Sequence, residues 1–322
     1  MDALSDVLKS VRLEGAVYLE AEFTAPWCIQ ANAGLESVAR RLAGAEHVVF
    51  FHYVAEGGFQ VHQGDGLPPL PAREGDLIVF PQDVRQLMGS DLRLAPVEAN
   101  RLPYENPDDP VVRLSYGGGG SASRMVCGYI ACSRSVCRPL LDALPPVLVI
   151  HVGDDAGSGM TRELLRVAVR ESWAQRPGAE SLLTKVAELM FVEALRRYAA
   201  SLPPGGTGWL AGVRDAHVGR ALAALHGDPA RPWTVEELAA EAALSRSALA
   251  EKFAALVGEP PMQYLSRWRL ALAAQALRTG TEPISRIAER SGYDSEAAFG
   301  RAFKREFGKP PAAWRRASKK PA

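Results

Sequence analysis

The chain reads as an α+β protein of several domains. An N-terminal antiparallel β-barrel of jelly-roll type is expected first, then a helical segment, then an all-α domain with two helix-turn-helix units. Three observations carry this. Between Gly15 and about Val152, short β-prone runs alternate with turn residues. From Met160 to Ser201 the apolar spacing becomes helical. Between Pro232 and Arg316 one pattern occurs twice, 50 residues apart.

At 322 residues, two or three domains are expected. The boundaries expected are 1–156 for the barrel, 157–201 for the helical segment, 202–208 for a linker and 209–322 for the C-terminal domain. An apolar content of 47% and a charged content of 23% are ordinary for a globular chain. The net charge of zero hides an asymmetry. Residues 1–208 carry 19 Lys and Arg against 25 Asp and Glu, whereas residues 209–322 carry 18 against 12. The basic end holds the repeats, as a phosphate-binding surface requires.

Leu4, Val7, Leu8 and Val11 fall on one side of a short helix over 3–12. The N-terminus lacks a basic and then apolar leader, and no apolar run approaches eighteen residues. A cytoplasmic chain with no membrane partner is expected, its Cys28, Cys127, Cys132 and Cys137 reduced.

The expected strands are Val17–Phe23, His47–Ala55, Phe59–His62, Gly75–Pro81, Val111–Tyr116 and Arg124–Ile130. Gly57-Gly58 marks a turn or bulge, and Gly64-Asp-Gly66 a hairpin. Such closely spaced short strands suit a jelly roll or barrel. Two helices follow. Leu164, Leu165, Val167 and Val169 lie in the first. The second carries Leu182, Leu183, Val186, Leu189, Met190, Val192 and Leu195, apolar around more than one stripe. One face suits the core; a second copy of the chain is the expected cover for the other. Leu202-Pro-Pro-Gly-Gly-Thr-Gly208 is the linker.

The repeat reads Ser245-x3-Leu249-x3-Phe253-x4-Gly258-Glu-Pro260-Pro261 and Ser295-x3-Phe299-x3-Phe303-x4-Gly308-Lys-Pro310-Pro311. A short Ala-rich helix precedes each copy, with room only for a tight turn between; the second turn holds Gly292 and one extra residue. Ser245 and Ser295 are expected N-caps, and Thr234 with Glu237 a capping box. The apolar positions pack inward. Arg246, Ser247, Ala250, Glu251 and Lys252 are left as outward candidates in the first copy, and Ser295, Glu296, Ala297, Arg301, Lys304 and Arg305 in the second. Met262–Leu277 joins the copies without a helix breaker.

Residues 215–316 resemble the DNA-binding domain of the AraC/XylS transcription regulators. The matching residues are Ile287-Ala288, Gly292-Tyr293, Ser295, Phe299, Arg301, Phe303-Lys304-Arg305, Phe307-Gly308, Pro310-Pro311 and Trp314-Arg315. The resemblance implies two helix-turn-helix units bridged by a helix, both recognition helices entering the major groove from one side. Many members carry a base-contacting Arg where this chain has Glu251, which makes Arg246 the better candidate here.

Tyr53-Val-Ala-Glu-Gly57, a turn, then Gly75-Asp-Leu-Ile-Val-Phe-Pro81 resembles a cupin barrel. Phe23-x-Ala-Pro-Trp27, Tyr116-Gly-Gly-Gly-Gly120, Val126-Cys-Gly128 and Pro139–Pro146 resemble the cupin-type N-terminal domain of AraC-like regulators. The implied partners are promoter or operator double-stranded DNA, RNA polymerase, a small-molecule effector and a second copy of the chain. The signal is expected at the barrel. One version is a small molecule lined by Trp27, Phe51, His52, Tyr53, His62 and Phe80. The other is oxidation of Cys127, Cys132 or Cys137, with Arg134 and Arg138 nearby to lower a thiol pKa.

His52 and His62 are placed to meet across a hairpin, but the cupin ligand position reads Asp83-Val-Arg-Gln86, so no metal and no cofactor is expected. Phosphate-cradle, dinucleotide, serine-hydrolase and zinc-protease motifs are all missing, so no catalytic residue is expected. The alternatives are a cupin-fold enzyme with an appended DNA-binding domain, and a ligand-independent dimeric DNA-binding protein.

Overall fold

The computed structural model describes residues 2–11, 13–32, 45–64, 66–82, 84–105, 109, 111–152, 163–164, 167–168, 170–171, 176–203 and 205–318. Of the residues named above, Asp65, Asp83, Met160, Leu165, Val169 and Pro204 lie outside them.

The chain forms two compact units, each discontinuous in sequence. One comprises residues 13–132 and 144–200, the other residues 1–12, 133–143 and 201–322. Two segments from the N-terminal part of the chain thus pack with the C-terminal helices.

The sheet unit holds β1 (Glu14–Thr24), β2 (Cys28–Asn32), β3 (His47–Glu56), β4 (Gly58–Val61), β5 (Leu70–Arg73), β6 (Asp76–Phe80), β7 (Arg85–Gly89), β8 (Val97–Glu98), β9 (Tyr104–Glu105), β10 (Val112–Gly117), β11 (Ala122–Cys132) and β12 (Leu148–His151). Seven strands form one sheet in the order β12-β6-β3-β11-β1-β10-β9, and five form a second in the order β5-β4-β7-β2-β8. Neighbours are antiparallel except β1 with β10 and β2 with β8. Among the described residues, the expected barrel is therefore two separate sheets rather than a closed ring.

Alternation decides what fills the core. Phe50 and Val54 of β3 join Leu19, Phe23, Trp27, Phe59, Ile78, Phe80, Met88 and Cys127 in one buried cluster. Such large apolar side chains dominate the free energy of a sheet core; truncating one such Phe to Ala costs about 3–5 kcal/mol. Phe23 stacks on Trp27 with ring centroids 4.4 Å apart, and Phe59 lies 5.4 Å from Trp27.

The 23-residue helix of the linking segment runs Ala179–Ser201. Its Ala187 and the Thr184 carbonyl lie against Gly15 on the outer face of the larger sheet. Leu183, Val186, Met190, Phe191 and Leu195 are buried, while Leu182 and Leu189 are 40% and 50% exposed. One face is therefore core, and two leucines two turns apart remain uncovered.

The helical unit opens with α1 (Ala3–Ser10) and α2 (Arg134–Leu141). With the Ala179–Ser201 helix as α3, it continues with α4 (Trp209–Arg214), α5 (Val218–Gly227), α6 (Val235–Glu241), α7 (Arg246–Val257), α8 (Pro261–Thr279), α9 (Ile284–Arg290), α10 (Glu296–Phe307) and α11 (Pro311–Ser318). α1 packs on α5, and α2 packs on α8. Thr234 and Glu237 make both bonds of the expected capping box at α6. Pro261 occupies the first turn of α8, where its missing N–H costs nothing. Among the described residues, no helix is long and apolar enough to cross a membrane.

At the centre of this unit, Trp209 Nε1 donates to Tyr264 Oη at 2.7 Å, and His226 Nε2 lies 2.7 Å from the same oxygen. Burial pushes the Tyr264 phenol pKa up and pulls the His226 imidazole down to about 3. The network ties α4, α5 and α8 together.

Candidate nucleic-acid interface

α6 with α7 and α9 with α10 form the two helix-turn-helix units. The Ser245 hydroxyl accepts from the Ala248 amide, and the Ser295 hydroxyl accepts from the Ala298 amide. Both caps satisfy donors that a helix start otherwise leaves bare. α7 and α10 each run 12 residues and end at a left-handed glycine, Gly258 at φ +89° and Gly308 at φ +72°. That conformation is open to glycine without strain. Leu249, Phe253, Phe299 and Phe303 are fully buried, as their spacing requires.

The outward sets differ between the copies. On α7, Arg246, Ser247 and Glu251 are exposed and Ala250 is half-buried. Arg246 Nη1 lies 2.5 Å from Glu236 Oε1. Lys252 is half-buried and its Nζ sits 2.8 Å from Asp215 Oδ2, so its charge is already engaged. Ser295, the N-cap of α10, and Glu296, Ala297, Arg301, Lys304 and Arg305 on α10 are all exposed. Among the described residues, the side chains of Arg301, Lys304 and Arg305 have no hydrogen-bond or ion-pair partner. The second unit presents unengaged cations; the first presents one arginine held by a neighbouring carboxylate. Glu236 and Asp215, the two counter-charges, come from other helices or loops, so helical spacing on α7 did not reveal them.

α8 joins the units. Its 19 residues span about 28 Å at 1.5 Å per residue. Glu306 on α10 also lies 3.6 Å from Arg138 on α2.

In the sheet unit the effector candidates separate into two groups. Trp27, His52 and Phe80 face the space between the sheets: Trp27 and Phe80 belong to the core cluster, and the His52 ring meets Phe80 edge-on at 5.7 Å. His52 Nε2 lies 2.9 Å from Gln86 Oε1, and burial pulls its pKa down to about 4. Phe51 and Tyr53 point the other way, because successive strand residues alternate faces. The Phe51 ring lies over Gly128, its cross-strand neighbour on β11. His62 turns back on its own loop, its Nδ1 accepting from the Gly64 amide at 3.3 Å. His52 and His62 thus have separate partners. A cavity of about 320 Å³ lies instead on the outer face of the seven-stranded sheet, beside Glu20, Glu22, Arg113, Ser115 and Arg124.

Cys28, Cys127, Cys132 and Cys137 are all buried. Burial pushes the Cys127 thiol pKa up, away from the thiolate that oxidants attack. Arg138 engages Asp142 at 3.2 Å and Glu306.

Two N-capped helix-turn-helix units on one connecting helix, with an exposed cationic recognition face, define a sequence-specific duplex-DNA binder. A family described as Cupin matches residues 2–200, and one described as Helix-turn-helix domain matches residues 238–317. The chain is 34% identical over 318 residues to a putative AraC-like transcription regulator of Streptomyces lividans, covering 98% of each. It is 30% identical over 329 residues to the HTH-type transcriptional regulator AlkR of Acinetobacter baylyi, covering 99% of this chain and 100% of that one. Among solved structures, the DNA-binding domain of AdpA in complex with a target DNA is 33% identical, covers 32% of this chain and 92% of that chain, and has a TM-score of 0.30. The chain belongs to the AraC-like transcription regulators, with a cupin N-terminal domain and an AraC-type helix-turn-helix domain.

Proposed function

We propose that one chain reads two successive major-groove segments on one side of the duplex, with α10 making the stronger base contact. The observation that carries this is the unengaged Arg301 on an exposed, N-capped helix, flanked by Lys304 and Arg305. Arginine matches the two acceptors on the guanine edge. Lys304 and Arg305 hold phosphates, and Arg246, which the repeat aligns with Glu296 rather than with Arg301, reads a base edge or holds a phosphate from the start of α7 once it exchanges Glu236 for DNA. Major-groove segments repeat every ~34 Å, within reach of helices joined by α8.

The test is Arg301→Ala on a duplex selected by the full chain. Specific affinity falls by roughly 1–3 kcal/mol at one base position, while random DNA loses little. Equal losses on both would remove the base-reading role.

In this reading the chain is a cytoplasmic regulator without enzymatic activity that acts with RNA polymerase. A second copy covers Leu182 and Leu189; sedimentation of a Leu189→Asp variant as a monomer, against a wild-type dimer, tests this. The input is a small molecule held by the sheet unit. A triple Cys→Ser variant at 127, 132 and 137 keeps its response if this holds and loses it if thiol oxidation is the signal.

A further inference from the structure

Arg269 lies midway along α8, between the two helix-turn-helix units, and touches the loop that enters the first and the turn of the second. On one side its guanidinium donates twice into the segment entering the first unit. Nε reaches the Pro229 carbonyl at 2.6 Å, and Nη2 reaches the Arg231 carbonyl at 2.7 Å. On the other side the same guanidinium covers Gly292, in the tight turn of the second unit. A Cβ built on Gly292 would lie 2.8 Å from Arg269 Nη1 and 2.9 Å from Cζ, and Gly292 holds φ +72°. The turn therefore has neither the room nor the backbone geometry for another side chain. Burial lowers the Arg269 pKa, and Tyr293 from the second unit and Asp228 from the loop entering the first both offset that shift.

We propose that Arg269 is a positioning residue that sets the relative orientation of the two recognition helices and so fixes the base-pair spacing the protein accepts. It touches no DNA in this role. A guanidinium suits it because its donors are planar and rigidly forked, so two carbonyls on one edge and a flat turn against its face are met at once. An ammonium at the end of a flexible stem carries the same charge without that shape. Without the clamp, α8 still joins the units, but the two bonds to the first-unit entry loop and the cover over the second-unit turn are lost.

The proposal rests on the two-segment reading above, and the test separates the two. A duplex is selected from a randomised pool by the wild-type full-length chain. A second duplex carries two base pairs inserted between the two protected segments, which turns one segment by roughly a fifth of a helical turn relative to the other. The readout is the ratio of affinities for the two duplexes, with thermal unfolding alongside. The wild type should prefer the original spacing by at least about tenfold, in line with the cost of misplacing one segment's base contacts. Arg269→Ala and Arg269→Lys should both bring that ratio to within about twofold, without an early unfolding transition. A ratio unchanged in both variants overturns the proposal, as does a ratio restored by lysine, since charge alone then suffices. Loss of affinity for both duplexes by one common factor assigns Arg269 to a phosphate or to general stability, and overturns it too. If selection returns a site of one segment only, the two-segment reading fails and this proposal with it. A two-segment site with an unaltered ratio removes this proposal alone.

Discussion

Arg246, the first residue of α7, is paired at 2.5 Å with Glu236 of α6, so the one arginine exposed on the first recognition helix is held by the helix before it. Both side chains are largely exposed, at 69% and 59%. Surface pairs of this kind contribute little to stability, because water and salt screen them. A phosphate or guanine edge therefore competes for Arg246 at little cost.

Glu236→Gln should raise DNA affinity a few-fold at low salt, because it frees Arg246 and removes a negative charge facing the duplex. Arg246→Ala should lower affinity while leaving stability within about 0.5 kcal/mol. Fluorescence anisotropy with a selected duplex measures the first, and urea unfolding the second. If neither variant changes binding, α7 does not present Arg246 to DNA.

Lys304→Ala and Arg305→Ala should each weaken binding to all sequences alike. Removing one phosphate-neutralising charge makes the slope of log affinity against log salt shallower by about 0.9. A salt titration of the double variant should show a reduction of about 1.8. An unchanged slope would place these two side chains away from the DNA backbone.

The buried His226 predicts a pH dependence confined to the helical unit. Its folded pKa, about 3, lies below its ordinary value of 6.5, so the unfolded chain binds the proton first. The contribution is fully present above pH 6.5 and is lost as pH falls towards 3. The slope reaches at most about 1.4 kcal/mol per pH unit. Hydrogen exchange of α5 and α8 in the full chain should accelerate between pH 6.5 and 5, beyond the intrinsic pH effect on exchange. His226→Gln should flatten that profile.

Ala243, in the turn of the first unit, has φ +50°. The second unit places Gly292 at the corresponding point, two residues past its helix end. A non-glycine residue there is strained by about 1–2 kcal/mol, part of which a glycine returns as unfolded-chain entropy. Ala243→Gly should therefore raise stability by about 0.5–1 kcal/mol in chemical denaturation. A loss of stability would mean that packing of the alanine methyl outweighs the backbone term.

Much of the DNA-binding half was legible because its signals are local. A cap, a capping box and an apolar stripe each need only residues three to four apart, and Ser245, Ser295 and Thr234 with Glu237 adopt those roles. The repeat of 50 residues then made two units out of one pattern. On the sheet side, β-prone runs and turn residues revealed that strands exist, but not how they pair. The face taken by Phe51 and Tyr53 follows from register, and register depends on strands distant in sequence.

From its sequence alone, this protein is determined as two N-capped helix-turn-helix units behind a β-rich, cupin-type domain, since caps, periodicity and a long multi-part motif are short-range properties of the chain. Tertiary structure decided which charges are available: Glu236 holds Arg246, Asp215 holds Lys252, and Arg301 is left open. It also decided that α2, from between β11 and β12, packs on α8, and that Arg269 spans both units. An ion pair or a bridging side chain depends on through-space distances between segments far apart in sequence, and those distances exist only once the core has packed.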